Sequence, residues 1–522
     1  MTDPTPAPLP EDSKQLGMVG QRTLRAGLTW VANGLHTVLA VGLAFFTVPL
    51  ILHYLGTERF GAHRAATEWL SFLSMSDLGL SSGVSILIIQ AQRGIGQHSV
   101  AQVVRLGIKV LGLLSLFTLL VGLPLAWCLP WLVPVSPPLV DELRWAALLS
   151  LLGFALLPLA VFRFVLDASQ RGYLINAGLM LNSLATLGLS VYWAFLGWGL
   201  PGQMVAMLVG NSLFSLFILV AALRLLPDLR TVTTANIGWP RLLEVSWPIL
   251  LALIGTRLNL MTDAIMVGFL ISPATVASFV LTQRLVMLVG TQINSLTHAS
   301  WAGLLELRAA GRQQDFADRV LEVSRLQMGL ATLGVGTVAA YNERFVTLWV
   351  GADAYAGDAV TLFTAASSVI FCFLCLFCSL IDSQGDTRYR IKISLWGSAL
   401  NFGLTALLIP LIGPAGAVLA TCLAYLATDA WYAPYLAALH YQLSFSLIMQ
   451  QTVRSLAISL PWVAGLWIWT RWHGFSGGWW ELILEMAVAG CLTLLYAWLL
   501  VFPSADRLLW KQRLRRLILR QR

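Results

Sequence analysis

The sequence predicts an all-α polytopic membrane protein with about 14 transmembrane helices. Of its 522 residues, 57% are hydrophobic and only 11% are charged, whereas soluble domains carry about 25% charged residues. Apolar stretches such as residues 106–135 have the length that a helix needs to cross a bilayer. They lack the strict alternation that is typical of transmembrane β-strands. This composition excludes a soluble enzyme, a disordered protein and a secreted disulfide scaffold.

Both ends of the chain are predicted to be cytoplasmic tails. Residues 1–24 form the first tail, which begins with a segment rich in proline and acidic residues and lacks the apolar core of a signal peptide. Residues 504–522 form the second tail, in which basic residues alternate with leucines. That pattern is typical of an amphipathic helix on an anionic membrane surface, and a simple topology anchor is the alternative.

Fourteen apolar windows lie between these tails. We assign helices 1–6 to an N-lobe (25–240), helices 7–12 to a C-lobe (241–445), and helices 13 and 14 to residues 446–503. The helix centres lie near Ala40, Met75, Leu116, Leu156, Ala185, Ser212, Ile254, Gly290, Gly334, Phe373, Ala399, Tyr425, Val463 and Leu494.

The distribution of lysine and arginine predicts the orientation of these helices. With a cytoplasmic N-terminus, 26 of the 33 basic residues fall on the cytoplasmic side. Such an excess is expected for cytoplasmic loops. Two more, Arg257 and Arg284, lie deep in apolar windows. The five assigned to the outer side are Arg59, Arg64, Arg144, Arg344 and Arg471.

Weak internal similarity predicts that helices 1–6 repeat as helices 7–12. Asp167 and Asp382 lie in similar segments, and so do Gly199 and Gly413, at nearly the same distance along the chain. Because six is an even number, both copies would cross the membrane in the same direction. Parallel repeats of this kind occur in secondary transporters, which bind substrate between two lobes and expose it alternately to each side.

Three segments resemble a known family. Residues 46–61, FTVPLILHYLGTERFG, and SDLGL at 76–80 resemble the first two helices of Wzx-type polysaccharide flippases, and GPAGAVLAT at 413–421 is similar to a later turn of that family. The family belongs to the superfamily that contains multidrug extruders and lipid II flippases. The resemblance implies a non-enzymatic transporter of the bacterial inner membrane, which moves undecaprenyl-diphosphate-linked oligosaccharide to the outer leaflet for cell-surface polysaccharide synthesis.

The same resemblance implies the partners. They are the lipid-linked oligosaccharide, membrane lipids, and a polysaccharide polymerase with its chain-length regulator. No nucleic acid and no cofactor are expected. The seven histidines are scattered, and Cys372, Cys375 and Cys378 lie on an apolar helix, where we interpret them as packing residues rather than metal ligands. The phosphate-binding motif GxxxxGK[ST] does not occur.

Charged residues inside predicted helices are the candidate substrate site. A charge at the bilayer centre costs about 2.5–3.5 kcal/mol, so it usually faces a cavity, a partner or a ligand. Arginine binds phosphate oxygens in a bidentate manner, which suits a diphosphate. Polar residues follow the two arginines at helical spacing. The predicted substrate contacts are Arg257, Arg284, Asn259, Thr291, His298 and Glu68. Structural pairing of the arginines with Asp263 and Glu68 is the alternative.

Asp77 and Asp263 are the candidate coupling residues, because buried carboxylates in transporters often relay protons or bind cations. For Asp77 the alternative is a backbone contact at a helix break, since Gly79 follows. Coupling to the membrane potential alone is also open. At about 100 mV, export of two negative charges would gain roughly 5 kcal/mol.

Three other functions stay open. A lipid II flippase also has fourteen helices. A multidrug or cation antiporter of the same superfamily predicts an acidic or aromatic cavity and twelve helices. A membrane glycosyltransferase or polymerase predicts a large outer loop, whereas the longest predicted outer loop is about 342–358.

Overall fold

The computed structural model describes residues 11–73, 79–94, 98–235, 242, 246–247, 263–382, 388–474, 477–503 and 507. The side chains at 11–24, 26, 296, 298, 299, 302 and 388–390 are outside that description. Within these ranges the chain is helical and contains no β-strand. The protein is thus an all-helical membrane protein, as predicted. The chain forms two compact units, Met1–Leu250 and Leu251–Arg522.

The first unit begins with a helix of 45 residues. A 3₁₀ segment, Leu152–Leu159, joins two of its shorter helices and contains Pro158, which cannot donate a helical hydrogen bond. The helices of this unit are α1 (Glu11–Leu55), α2 (Thr57–Ser71), α3 (Leu80–Gln92), α4 (Val100–Leu132), α5 (Val140–Leu151), α6 (Ala160–Ala168), α7 (Gly172–Phe195) and α8 (Gly199–Leu223).

The second unit begins, in the described part, with helical residues 263–270. A π-helical turn, Ala497–Val501, ends its last span. Its helices are α9 (Pro273–Ala309), α10 (Gln313–Val350), α11 (Asp358–Asp382), α12 (Arg388–Ile412), α13 (Ala415–Ala427), α14 (Asp429–Tyr441), α15 (Phe445–Trp472) and α16 (Trp479–Tyr496).

Nine helical spans among the described residues are long and apolar enough to cross a membrane. Of the fourteen predicted helix centres, Met75 and Ile254 lie outside the described residues, and the others lie in helices. Predicted helix 12 is not continuous, because Thr428 has non-helical φ and ψ angles of −121° and −86° and separates α13 from α14. Predicted helix 2 is likewise divided into α2 and α3.

Two helix starts recur along the chain at the same spacing. Helix α2 begins at Thr57 and α9 at Pro273, and the starts of α8 at Gly199 and α13 at Ala415 are separated by the same distance. We call this distance, from Thr57 to Pro273, the repeat offset. It is close to the spacing of the similar sequence segments. The repeat offset therefore gives each position in one unit a counterpart in the other.

Each unit has an ion pair at the predicted outer ends of its helices. In the first unit, Glu142 accepts hydrogen bonds from Arg59 Nε at 3.0 Å and from Leu200 N at 2.6 Å. In the second unit, Arg344 is only 5% exposed and donates to Glu485 Oε2 at 2.6 Å and to the carbonyls of Thr470 and His473. Arg344 thereby fastens α10 to α15 and α16.

Two further contacts complete the second unit. Trp462 of α15 donates to the Thr493 hydroxyl of α16 at 2.9 Å, and that hydroxyl lies 3.0 Å from Thr337 of α10. The last two helices are therefore integral to the second unit rather than an appendage.

In the loop before α11, burial raises the pKa of the Tyr355 phenol, which keeps its proton and donates to Asp358 at 2.7 Å.

Candidate functional site

A buried polar cluster in the second unit contains one predicted coupling residue. We call it the Asp263 cluster, and it consists of Asp263, Asn401, Thr405 and Thr421. Thr421 Oγ1 lies 3.0 Å from Asp263 Oδ2 and 3.3 Å from Asn401 Oδ1, and Thr405 Oγ1 lies 3.3 Å from the same amide oxygen. Asn401 and Thr405 are fully buried. Three separate helical segments therefore direct polar groups to one point.

The Asp263 cluster has unused hydrogen-bonding capacity. Asp263 Oδ1 and Asn401 Nδ2 are buried and make no hydrogen bond to any residue that the structure describes. An unpartnered buried polar group costs about 1–3 kcal/mol, so such groups in a native structure call for an explanation. A carboxylate, an amide oxygen and two hydroxyls are hard oxygen ligands. The cluster is chemically suited to a proton or a small hard cation.

The described part of the chain indicates no transition-metal site. Among the described residues, no group of three or more His, Cys, Asp or Glu side chains is placed to hold a metal ion. The six cysteines all lie in described helices and are free thiols.

The first unit has a cationic site on α2. The Arg64 guanidinium lies over the Phe60 ring at 5.7 Å and interacts electrostatically with Glu68, one turn further along the helix. Arg64 Nε is buried and has no hydrogen-bond partner among the described residues, and the same holds for Nδ1 of the adjacent His63. A guanidinium held in this way can still bind an anion.

Arg64 lies in the second turn of α2, which begins at Thr57. Its sequence-based assignment to the outer side, together with Arg59, stays a prediction. Arg64 was not among the predicted substrate contacts, although Glu68 of the same helix was. The spacing of four between Arg64 and Glu68, which puts both on one helix face, was the available signal.

Only some of the predicted substrate-binding and coupling residues lie in the part of the chain that the structure describes. Arg257, Asn259 and Asp77 lie outside them, as does the side chain of His298. Arg284 is half-buried on α9. Thr291 is exposed on the same helix, and its hydroxyl donates to the backbone oxygen of Met287 at 2.8 Å.

Two members of the predicted set do lie in polar clusters. Glu68 is half-buried one helical turn from Arg64, and Asp263 meets Asn401, Thr405 and Thr421. Sequence reasoning missed Arg64 and the three companions of Asp263. Asn401 and Thr405 lie one turn apart in an otherwise apolar helix, and this spacing was a weak sequence signal for a polar cluster.

Solved structures similar to this chain are membrane transporters. The lipid II flippase MurJ in its inward closed conformation has a TM-score of 0.65 at 11% identity, over 90% of this chain and 98% of that chain. An inward-facing multidrug resistance MATE family transporter of the MOP superfamily has a TM-score of 0.55 at 16% identity, over 78% and 96%. A variant of the Vibrio cholerae MATE transporter VcmN has a TM-score of 0.52 at 16% identity, over 80% and 97%.

At such identities the likeness concerns the fold. No curated protein matches the sequence. The family model described as "Polysaccharide biosynthesis protein" matches residues 28–302, which is more than half of the chain. With its helical spans, its fold and this match, the chain belongs to the polysaccharide biosynthesis protein family.

Proposed function

We propose that the protein is a flippase that moves an undecaprenyl-diphosphate-linked oligosaccharide from the cytoplasmic to the outer leaflet of the bacterial inner membrane. Its termini would lie in the cytoplasm, and a polysaccharide polymerase would receive the product. The observation that carries this proposal is the guanidinium of Arg64, half-buried within a helix of a chain whose family takes part in polysaccharide biosynthesis.

The diphosphate is the chemical reason for a buried arginine. A charged side chain inside a membrane protein is expensive, and it is retained where a ligand or partner compensates it. Glu68 supplies a partner for Arg64 in the absence of substrate. A diphosphate would compete for the same guanidinium, with two charge-assisted hydrogen bonds in place of one ion pair. The exchange would let the site bind and then release its cargo.

The remaining predicted contacts keep their roles as proposals. Arg257 and Arg284 would bind phosphate oxygens, and Asn259, Thr291 and His298 would hydrogen-bond to sugars. Such contacts need water in the transport path, because hydroxyl-rich sugars would otherwise lose their hydrogen bonds.

The Asp263 cluster supports coupling to a cation. A cation that enters with the membrane potential gains about 2.3 kcal/mol per charge at 100 mV. Binding at Asp263 would neutralise the carboxylate and satisfy its unpartnered oxygen, so the occupied and empty states of the second unit would differ in stability. Such a difference is what links an ion gradient to a conformational change.

Deletion and complementation in the native bacterium test the proposal. Deletion should remove surface polysaccharide and cause lipid-linked repeat units to accumulate without translocation. Arg64→Ala should behave like the deletion at equal protein level. The matched control is Arg163→Ala, which removes an arginine that is 49% exposed and 3.7 Å from Asp167. Full restoration of polysaccharide by Arg64→Ala would refute the role of this guanidinium.

The likeness to the lipid II flippase favours a second candidate function. That structure covers more of this chain than the two MATE transporters do. Lipid II is also a diphosphate-linked glycolipid, so the same arginine would serve. Rescue of growth in cells depleted of their own lipid II flippase, together with unchanged surface polysaccharide after deletion, would select this candidate over the first.

A further inference from the structure

Helix α9 of the second unit has a polar side that is not covered by the rest of the unit. Thr291, Gln292 and Ser295 are exposed, and Arg284 is half-buried. Arg284, Thr291 and Ser295 recur at helical spacing, so they lie on one side of the helix, and Gln292 flanks them. We call these four residues the α9 polar face. All four lie within an apolar candidate span, Pro273–Ser295.

Contacts with α11 show how deep this face lies. A Cβ atom on Gly290 would stand 3.2 Å from the Ser368 Cβ atom, and the Cys372 thiol donates to the Gly290 oxygen at 3.4 Å. Both partners lie near the middle of α11, which is an apolar candidate span over its whole length, Asp358–Asp382. Gln292 stands about 3 Å beyond Gly290 along the helix axis. The α9 polar face therefore lies at the depth of the acyl chains rather than at a membrane surface.

The last helix of the same unit shows what a surface in contact with lipid looks like. Helix α16, which the structure describes throughout, exposes only apolar side chains and Cys491. Its exposed apolar residues are Trp480, Ile483, Leu484, Ala487, Val488, Leu492, Leu494 and Leu495. An amide among acyl chains would lose its hydrogen bonds to water without replacement. The α9 polar face, which contains a glutamine, therefore borders water or a polar ligand rather than lipid.

The hydroxyl hydrogens of the α9 polar face are already used within the helix. Thr291 donates to the Met287 oxygen at 2.8 Å, and Ser295 donates to the Gln292 oxygen at 2.6 Å. Both hydroxyls therefore present only acceptor lone pairs to a ligand, whereas the Arg284 guanidinium presents only donors.

The Gln292 side chain can both donate and accept. Among the described residues its amide has no hydrogen-bond partner. It offers two N–H donors and a carbonyl acceptor. Of two neighbouring sugar hydroxyls, one can donate to the amide oxygen while the other accepts from the amide nitrogen. Such a paired contact needs both hydroxyls in a suitable orientation, and a site built on hydrogen bonds to hydroxyls discriminates against a substrate that lacks them.

The distance between Arg284 and Gln292 suits a sugar that is linked to a diphosphate. The two residues are about 12 Å apart along the helix axis. A ligand with a phosphate oxygen at the guanidinium would extend its first sugars along the same face, past Thr291 and Ser295.

We propose that Gln292 is a specificity-determining residue, which binds two neighbouring hydroxyls of a sugar close to the diphosphate of the lipid-linked oligosaccharide. The proposal rests on the transport function proposed above and adds the group that distinguishes one sugar from another. Arg284 binds the diphosphate, and Thr291 and Ser295 accept hydrogen bonds from further hydroxyls.

Binding of two probes to the purified full chain tests the sugar contact. The first probe is the lipid-linked oligosaccharide extracted from the deletion strain, and the second is undecaprenyl diphosphate without sugar. Gln292→Leu should weaken binding of the first probe about tenfold, the loss expected for one or two neutral hydrogen bonds, and leave the affinity for the second unchanged. Gln450→Leu is the matched control. It removes another exposed glutamine of this unit, near the start of α15, and should change neither affinity.

The ratio of the two affinities separates a sugar contact from a structural role. Equal weakening for both probes, or wild-type affinity of Gln292→Leu for both, would overturn the role of Gln292. Binding of neither probe by the wild-type protein would refute the flippase function itself, and the inference would fail with it.

Thiol labelling in liposomes tests whether the α9 polar face borders water. A water-soluble maleimide reacts with a thiolate, which is disfavoured in apolar surroundings. Gln292→Cys should react, and the first probe should slow the reaction. The native Cys491, exposed on apolar α16, should stay unlabelled. An unreactive thiol at position 292, or a dimer that Gln292→Leu dissociates, would assign this face to lipid or to a second copy of the chain and overturn the proposal.

Discussion

The two units of this protein share two helix starts at the repeat offset but place charge differently. In the first unit the interior of α2 carries a guanidinium, Arg64, and in the second unit the Asp263 cluster carries a carboxylate. At the repeat offset, Arg64 corresponds to Val280, and Asp263 corresponds to Thr47. Neither charge is repeated, so the units combine a common helical arrangement with opposite local chemistry.

The neighbours of Asp263 make the same point. Asn401 and Thr421 correspond to Ala185 and Val205 in the first unit. Helices α7 and α8 pack without those polar groups. The positions of Asn401 and Thr421 therefore hold small apolar residues in the other copy of the repeat, which places its own polar pair, Asn182 and Asn211, elsewhere on the same two helices. The Arg64 guanidinium would suit an anionic substrate, and the Asp263 carboxylate would suit a coupling cation.

The largest expected effect concerns stability in the second unit. Arg344→Ala would leave Glu485 without its partner and remove the donor to two carbonyl oxygens. Loss of one member of a buried ion pair costs about 3–5 kcal/mol. The thermal midpoint of the purified protein, followed by gel filtration with fluorescence detection, should fall by many degrees. A midpoint equal to the wild type would show that α15 and α16 are held by other contacts.

A graft of first-unit residues into the second unit tests the comparison directly. The triple variant Asp263→Thr, Asn401→Ala, Thr421→Val should fold with a thermal midpoint close to that of the wild type. It removes two buried polar atoms that have no hydrogen-bond partner among the described residues, and it also removes the acceptor of the buried Thr405 hydroxyl. Coupling free energies between sites are typically about 1–3 kcal/mol, so translocation should fall by about 5- to 150-fold. Surface polysaccharide at equal protein level measures it. An unfolded variant would mean that the cluster is structural.

The reciprocal graft, Arg64→Val, places the second-unit residue in the first unit. A hydrogen bond to a charged group contributes about 1.5–3 kcal/mol, so translocation should fall by roughly tenfold or more. Arg64→Lys should retain part of the activity, because lysine keeps the charge but loses bidentate geometry. If Lys and Val were equally impaired, charge alone would not explain the site.

The smallest effect is expected for the ion pair of the first unit. The Arg59 side chain is 42% exposed, and the Glu142 carboxylate keeps its hydrogen bond to Leu200 N when the arginine is removed. Arg59→Ala should therefore lower the free energy of unfolding by less than about 1 kcal/mol. A midpoint shift as large as that of Arg344→Ala would contradict the assignment of different roles to the two pairs.

Much of the fold was accessible from the sequence because bilayer thickness imposes the length of apolar segments. The coupling role of Asp263 was suggested by a lone carboxylate in such a segment. Its contact with Thr421 was not predictable, since 158 residues separate the two in the chain. The break at Thr428 was not predictable either, because neither proline nor glycine stands at that point. Arg64 was not predicted as a substrate contact, because it was grouped with Arg59 near the outer helix ends.

Helix α1 is longer than any bilayer requires. Its 45 residues extend about 68 Å, more than twice the hydrocarbon thickness of about 30 Å. The apolar span begins at Gly27, so a helical rod about 24 Å long precedes it. Because α1 is continuous, a change of about 20° in the tilt of the span would move the N-terminal end of the helix by roughly 8 Å. A spectroscopic label near that end would report a small change in tilt as a displacement that is measurable in the aqueous phase.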